Sequence, residues 1–477
     1  MSEKIYIERP PRIEPELPSG AVSIPNPPDA DPDPARLLQQ AFLPLLMIMG
    51  YFLASIFGQG RNMLMMVPML LSIVGAVSLA VYSHLQENKK LDEAKAAYKR
   101  RLGELRRKME SEHEQQRIYY FYNYPNAEQG LAIAQDLHRP ESEPLQQDIR
   151  SGTRLWERRP TDHDFLHLRL GLSTRQSTVI YKISDNEKPE NPLMREATRL
   201  AEDSRLLYEV PVTIPLYLAL NDAEQKKVDE KRKEQEDADG EAKAQEAKGM
   251  SVRHSIGITG GSPEKIYAYT RTLLVDYATF HSPQDTMLYV AGTSGARANW
   301  RWAYALPHCK ETDKSETLRF ESEQQPEDNE VDRMRQFWKN IRTVLERRRM
   351  RLQDKESGAD VRLPFMLVIV DVLHAAPGWS CLHDLESEAA ISTILMDGQM
   401  LGAGVIFLVP ERSNVPSRCS AVIEVDETAQ DSEAAVFPRA GTTRHPARLW
   451  LESGLDGDPA RNAEYHFAGR TAQSLAR

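Results

Sequence analysis

Cysteine is scarce in this sequence of 477 residues: Cys309, Cys381 and Cys419 stand far apart, with no C-x-x-C pair. That excludes a disulfide framework and the usual zinc ligand sets, and it suits a reducing compartment. Basic excess is also missing. The formal net charge is −10, whereas a dedicated nucleic-acid binder carries surplus Lys and Arg, so nucleic acid is not an expected partner. No G-x-x-x-x-G-K-[ST] phosphate loop occurs anywhere. His374, Cys381 and His383 match no standard metal-ligand spacing, and Ser380 and His383 lack the G-x-S-x-G elbow of a hydrolase.

Charge is absent altogether from two stretches, residues 41–57 and 63–82, joined by the short link "GQGRN". Each is close to the ~20 residues that a helix needs to cross a ~30 Å hydrocarbon core. The pair reads as a two-helix transmembrane hairpin over 39–83, rather than a buried helical hairpin of a soluble fold. A secretory signal does not fit, because a long polar, proline-rich segment comes first. Lys89, Lys90, Lys95, Lys99, Arg100, Arg101, Arg106, Arg107 and Lys108 follow the second run, against Arg61 alone in the link. The positive-inside rule then places both termini and the main domain in the cytoplasm, with the chain multi-pass in the cytoplasmic membrane.

Residues 1–38 form a proline-rich leader that can build neither helix nor central strand, and it is expected to lie over a partner or stay mobile. Residues 84–153 read as a basic helical stalk. Leu91, Ala94, Tyr98, Leu102, Leu105 and Met109 place one apolar stripe on it. The expected cover for that stripe is another copy or a partner subunit, so an oligomer is expected, and the basic face beside the bilayer suits anionic lipid.

Residues 154–220 are β-rich, with strands expected in "DFLHLRLGL", "STVIYKI" and "LYEVPVTIPLYLAL". Residues 221–249 are a charged insertion without apolar periodicity. From 250 to 477 an α/β rhythm takes over, with strands in "HSIGIT", "TMLYVAG", "FMLVIVDV", "AGVIFLVP" and "SAVIEVD" separated by helical stretches. The fold class is α/β: a P-loop-NTPase-like, mainly parallel sheet with helices on both faces.

The stretch "GITGGSPEKIYAYTRTLL", residues 257–274, has the outline of a strand, a glycine turn and a helix. A working phosphate loop needs a lysine for the β/γ oxygens and a hydroxyl for magnesium. Starting the template at Gly257 puts Ser262 on the second glycine, Pro263 on the lysine and Glu264 on the hydroxyl. Losing one charge-assisted hydrogen bond of about 1.5–3 kcal/mol weakens binding roughly 10- to 100-fold, and Glu264 adds repulsion. Gly257, Gly260, Gly261, Ser262 and Asp371 are therefore the candidates for a degenerate nucleotide site, with structural glycines the favoured reading. Asp371 ends "MLVIVD", but Val372 follows where catalytic versions carry a glutamate, so no general base is visible and no catalytic residue is assigned. An alternative keeps ATP binding or slow hydrolysis, with Arg297 or Arg412 replacing the lysine.

Taken together, the leader "RPPRIEPELPSGAVSIPNPP", the hairpin and stalk, "RLWERRPTDHDFLHLRLG", "VPVTIPL", "TFHSPQD", "WRWAYALPHC", "LVIVDV" and "AGVIFLVPERSNVP" resemble one family. The chain is similar to the N-terminal half of the EccC/EssC-type membrane ATPases of type VII secretion systems, in the FtsK/SpoIIIE superfamily. The resemblance implies a degenerate ATPase-like domain between the stalk and true motor modules. It implies an anchoring and coupling role in protein export, with no cofactor in this chain and with ATP and magnesium used by the motor modules, in cis or in trans. Either the chain is a shortened one or those modules sit on a separate polypeptide. Other membrane subunits would be direct partners, and secreted proteins indirect ones. Trp300, Trp302 and His308 are candidates for a partner surface, burial inside the domain being the other reading of the tryptophans.

Overall fold

The computed structural model describes residues 12–28, 49, 66–136, 154–183, 191–217, 252–309, 317–321, 328–353, 363–375, 386–425, 444–451 and 463–468. The first apolar run (apart from Met49), the start of the second and the insertion 221–249 lie outside them. Among the described residues no helix is long and apolar enough to cross a membrane. The chain divides into two compact units, one of Glu16–Ile118 with Gln176–Leu207, the other of Met1–Pro15, Tyr119–Arg175 and Tyr208–Arg477.

In the smaller unit the leader contributes strand β1 (Gly20–Ile24), and helix α1 (Met66–Asn123) carries the apolar stripe. Strand β3 (Val179–Ile183) pairs with β1 in parallel, Ala21 opposite Ile180 and Ile24 opposite Ile183. Helix α3 (Pro192–Asp203) follows. Its start is set by Pro192 and by the Asn191 side chain, which accepts the Leu193 N–H at 2.9 Å. Leu193, Ala197, Leu200 and Ala201 recur at helical spacing, and all are buried.

These apolar faces meet the stripe: Tyr98, Leu102, Leu105 and Met109 form one core with Ile24, Val179, Tyr181 and the buried face of α3. The expected cover of another copy or a partner subunit is thereby corrected. A two-stranded sheet and an amphipathic helix need an apolar surface to bury against, and α1 supplies one. Leu91 is half-buried and Ala94 exposed, outside that core. The leader is corrected too. Residues 12–28 are ordered on their own chain, and Tyr98 donates its hydroxyl proton to the Pro25 carbonyl at 2.8 Å.

The larger unit holds a ten-stranded sheet. Its strands are β2 (His167–Gln176), β4 (Leu206–Pro215), β5 (Ser255–Gly260), β6 (Thr286–Thr293), β7 (Leu318–Glu321), β8 (Phe365–Asp371), β9 (Ala403–Leu408), β10 (Ala421–Val425), β11 (Arg444–Leu451) and β12 (Ala463–Ala468). Their order is β4-β2-β12-β11-β10-β5-β9-β8-β6-β7. From β10 to β7 every neighbour is parallel, while β11 and β12 are antiparallel additions that the sequence reading missed.

Parallel strands need crossovers, and three helices supply them: α4 (Pro263–Phe280), α5 (Asp328–Gln353) and α6 (Ala389–Leu401). Because successive strand side chains point to opposite faces, β8 sends Leu367 and Ile369 to a core shared with Ile266, Leu273 and Tyr277 of α4. Met366, Val368 and Val370 go to the other face, against Met334, Phe337 and Ile341 of α5 and Ile391 and Ile394 of α6. Both faces are covered, which is why these strands read as unbroken apolar runs. A short helix, α2 (Ala127–Asp136), packs beside α4, with Gly130 against Val275.

Candidate functional site

The two halves of the candidate site sit at the ends of β5 and β8, with β9 between them. Gly257 and Gly260 belong to β5 itself, and α4 begins at Pro263, so the turn consists of Gly261 and Ser262 alone. The glycines answer to packing. A Cβ on Gly257 would come within 2.6 Å of the Val415 side chain, and one on Gly260 within 2.4 Å of the Val425 carbonyl oxygen. Ser262 stands at the helix N-cap without a side-chain cap hydrogen bond. Pro263 offers no backbone N–H at the first helical position.

Asp371 is fully buried. After β6 the chain winds through a 3-10 run, Ser294–Ala305, that carries Trp300 inward. The Trp300 indole Nε1 donates to Asp371 Oδ2 at 2.7 Å, and the Leu373 N–H donates to Oδ1 at 3.1 Å. Tyr267 sends its buried hydroxyl towards Asp371 but meets no partner in good hydrogen-bonding geometry, and its ring stacks on His374, centroids 6.0 Å apart. Burial pushes the Asp371 carboxyl above the usual carboxylate range, while these donors pull the other way. Arg297 is exposed.

Trp300 is 1% exposed and His308 2%, which corrects their reading as a partner surface. Trp300 stacks on the half-buried Trp302 at 5.8 Å. The physical reason is the acid: a buried carboxylate requires donors, and the indole is one.

A second cluster was invisible to sequence reasoning, although three of the family-like motifs lead to it. Arg158 is fully buried. Its guanidinium lies 3.1 Å from Asp164 and 3.6 Å from Asp276 of α4, and it donates to the carbonyls of Asn123 at 2.6 Å and His167 at 3.2 Å. The rings of Tyr124 and Phe280 pack on it at 5.0 and 4.5 Å. Arg12, from the leader, grips Asp164 with both nitrogens, at 2.6 and 2.8 Å, and reaches Asn123 Oδ1 at 2.9 Å. Arg154 pairs with Glu157 at 2.8 Å and lies over the Tyr122 ring at 4.0 Å. Although burial opposes its charge, Asp164 is held well below the usual carboxylate range by Arg158 and Arg12.

His281 completes the cluster. The Leu166 N–H donates to its Nε2 at 2.9 Å, which leaves the proton on Nδ1, facing the Tyr277 carbonyl at 2.9 Å. Burial first, and then Arg158, push its pKa down to about 3. His308 Nε2 donates to the His281 carbonyl at 2.8 Å. Leu166 and Trp156 hold positive φ, 59° and 60°, a left-handed conformation rare for large side chains and sustained here by the surrounding bonds. "RLWERRPTDHDFL", "TFHSPQD" and "LPH" therefore meet in one buried ionic hub.

No family model matches the chain. It is 24% identical over 303 residues to the ESX secretion system protein EccC of Thermomonospora curvata, covering 62% of this chain and 19% of that protein. The EccC of Geobacillus thermodenitrificans is 23% identical over 307 residues, covering 63% of this chain and 17% of that protein. The chain thus spans less than a fifth of the length of these curated relatives. Among solved structures, ATPases 2 and 3 of Thermomonospora curvata EccC in complex with a signal sequence peptide align at 17% identity and a TM-score of 0.33, over 72% of this chain and 49% of that one. ATPases 2 and 3 of Geobacillus thermodenitrificans EssC align at 16% identity and a TM-score of 0.30, over 46% and 40%. The curated relatives of this chain are EccC-type secretion proteins, the group that its motifs resemble.

Proposed function

We propose that this chain is a membrane-anchoring and coupling component of a type VII secretion machine, in which the ATPase-like domain over 250–477 is a scaffold and not a motor. The observation that carries the reading is the state of the Asp371 carboxylate, buried and committed to an indole and a backbone amide. A magnesium ligand must face the metal and its waters. The two-residue turn at Gly261 and Ser262 supports the same reading, since it is too short to wrap a triphosphate, and the residues present do not fit Mg·ATP. Hydrolysis then belongs to motor modules in cis or in trans.

The leader supports the membrane part. Residues 20–24 and Pro25 pack on the same unit as α1 and β3. Whatever the runs at 41–57 and 63–82 cross, the chain has to return to the side it left, so the crossings are even in number. A hairpin over 39–83 with a cytoplasmic leader and cytoplasmic main domain satisfies that condition. The stalk over 84–153, the β-rich segment 154–220 and the insertion 221–249 then all lie on the cytoplasmic side.

Two measurements test the proposal. Expressed in cells, the full chain should stay in the carbonate-washed membrane pellet, and recovery in the soluble fraction would refute anchoring. Titration of the purified chain with Mg·ATP into the millimolar range should leave the tryptophan fluorescence unchanged. Saturable quenching accompanied by phosphate release would make it an ATPase after all.

A further inference from the structure

On the sheet face opposite α4, the last turns of α5 and α6 lie side by side, fixed in register by two arginines. Arg348 is buried. Its Nη1 donates to the carbonyls of Leu401 and Gly402 at 3.0 and 2.8 Å, and its Nη2 to that of Pro364 at 2.6 Å. It thereby closes the C-terminal end of α6, where Gly402 takes the left-handed cap conformation. Arg349, one residue on, pairs with Asp397 of α6.

Around that ion pair the surface is unusual. Met350 is 63% exposed, Met396 59% and Met400 63%. Met396 and Met400 are one turn apart on α6 and share a face, and Met350 belongs to the helix end that Arg348 and Arg349 tie to the same turn. Arg347 and Arg351 flank Met350, both exposed. Methionine is the flexible, polarizable residue that adaptable binding surfaces use to mould to an apolar partner. A run of arginines beside it adds selectivity for carboxylates, which the planar guanidinium holds in a bidentate grip.

We propose that this methionine–arginine face is a docking site for an acidic amphipathic helix of another polypeptide, its apolar stripe laid on Met350, Met396 and Met400 and its carboxylates on Arg347 and Arg351. Charge complementarity decides the occupant. A nucleic acid or a phospholipid headgroup would use the arginines but leave the three methionines in water, and a neutral apolar helix would leave the arginines unmatched. This face lies where α5 and α6 lead into the starts of β8 and β9, whereas Asp371 stands at the far end of β8.

The test uses the purified full chain and a fluorescein-labelled synthetic helix of about 18 residues, with leucines at three- and four-residue spacing and glutamates elsewhere. Fluorescence anisotropy should rise to saturation. The Met396→Ser/Met400→Ser double variant and the Arg347→Ala/Arg351→Ala double variant should each weaken binding about tenfold or more, the span of a lost hot-spot contact. All four positions are exposed, and unchanged melting curves will show that both variants fold. A scrambled peptide of equal composition should bind at least tenfold more weakly. The proposal is overturned if the striped peptide does not saturate, if the scrambled peptide binds as well, or if the methionine variant binds like the wild type. Duplex DNA that competes with the striped peptide at equal concentration would also overturn it, by reducing the face to a patch of charge.

Discussion

The Trp300 indole and the Asp371 carboxylate lie 2.7 Å apart at the end of β8, donor to acceptor, both buried from solvent. In a nucleotide-hydrolysing relative of this fold such an acid would face a metal ion. Here a neutral aromatic donor holds one side of the acid, and the proposed scaffold role rests on that contact.

Trp300→Phe keeps most of the aromatic volume and deletes the donor. A buried acceptor left short of a partner costs about 1–3 kcal/mol, so the variant should unfold at lower urea by that amount. Burial raises the Asp371 pKa and the indole lowers it, so the penalty should be larger at neutral pH than in acid, where the carboxyl is protonated and needs the donor less. An equal loss at both pH values would mean that packing, not the hydrogen bond, is what Trp300 supplies.

The glycines give a second, discriminating case. At Gly260 a methyl group would stand 2.4 Å from the Val425 carbonyl, a backbone atom that cannot step aside. Gly260→Ala should therefore destabilise the chain by about 1–3 kcal/mol through overpacking, with no nucleotide present. A variant as stable as the wild type in urea would remove the packing explanation and return these glycines to a ligand.

Acid should act through the buried histidines. His281 is pushed down to about 3 and His167 to about 4, both chiefly by burial. In the unfolded chain each takes up a proton near pH 6.5, about the ordinary value, and in the folded chain neither does so until far lower. Unfolding is thus favoured progressively as pH falls from about 6.5 towards 4. One such group contributes a slope of about 1.4 kcal/mol per pH unit, and His281→Gln should flatten the pH dependence of stability by that much. If the slope is unchanged, His281 is not the group that titrates.

Much of this architecture was legible and some was not, for physical reasons. The runs "FMLVIVDV" and "AGVIFLVP" announced themselves because a strand buried on both faces needs apolar residues at every position. The stripe at Tyr98, Leu102, Leu105 and Met109 was plain, but periodicity says only that a face is covered, never by what. The cover is α3, together with a leader strand separated from the stripe by some seventy residues, since Tyr98 and Pro25 are 73 apart in sequence. Trp300 was noticed for its aromatic bulk, yet its role depends on an acid 71 residues away. The hub was the least accessible of all. Arg12 and Asp164 are 152 residues apart, and no local pattern marks an ion pair at that distance.

That pair also supports the sharpest prediction about the leader. Arg12 is the only described residue before Glu14 to bond the hub, through a fork on Asp164 and a contact to Asn123. Arg12→Ala removes charge-assisted hydrogen bonds worth about 1.5–3 kcal/mol. Asp164 keeps Arg158 as a counter-ion, so the loss should stay well short of the 3–5 kcal/mol expected when a buried charge loses its partner outright. Arg12→Lys restores the charge without the planar fork and should recover only part of the stability. In limited proteolysis, the Ala variant should be cut within residues 12–19 at protease concentrations that leave the wild type intact, with Lys between them. If all three are cut alike, the leader is held by its strand β1 alone and the guanidinium fork is incidental.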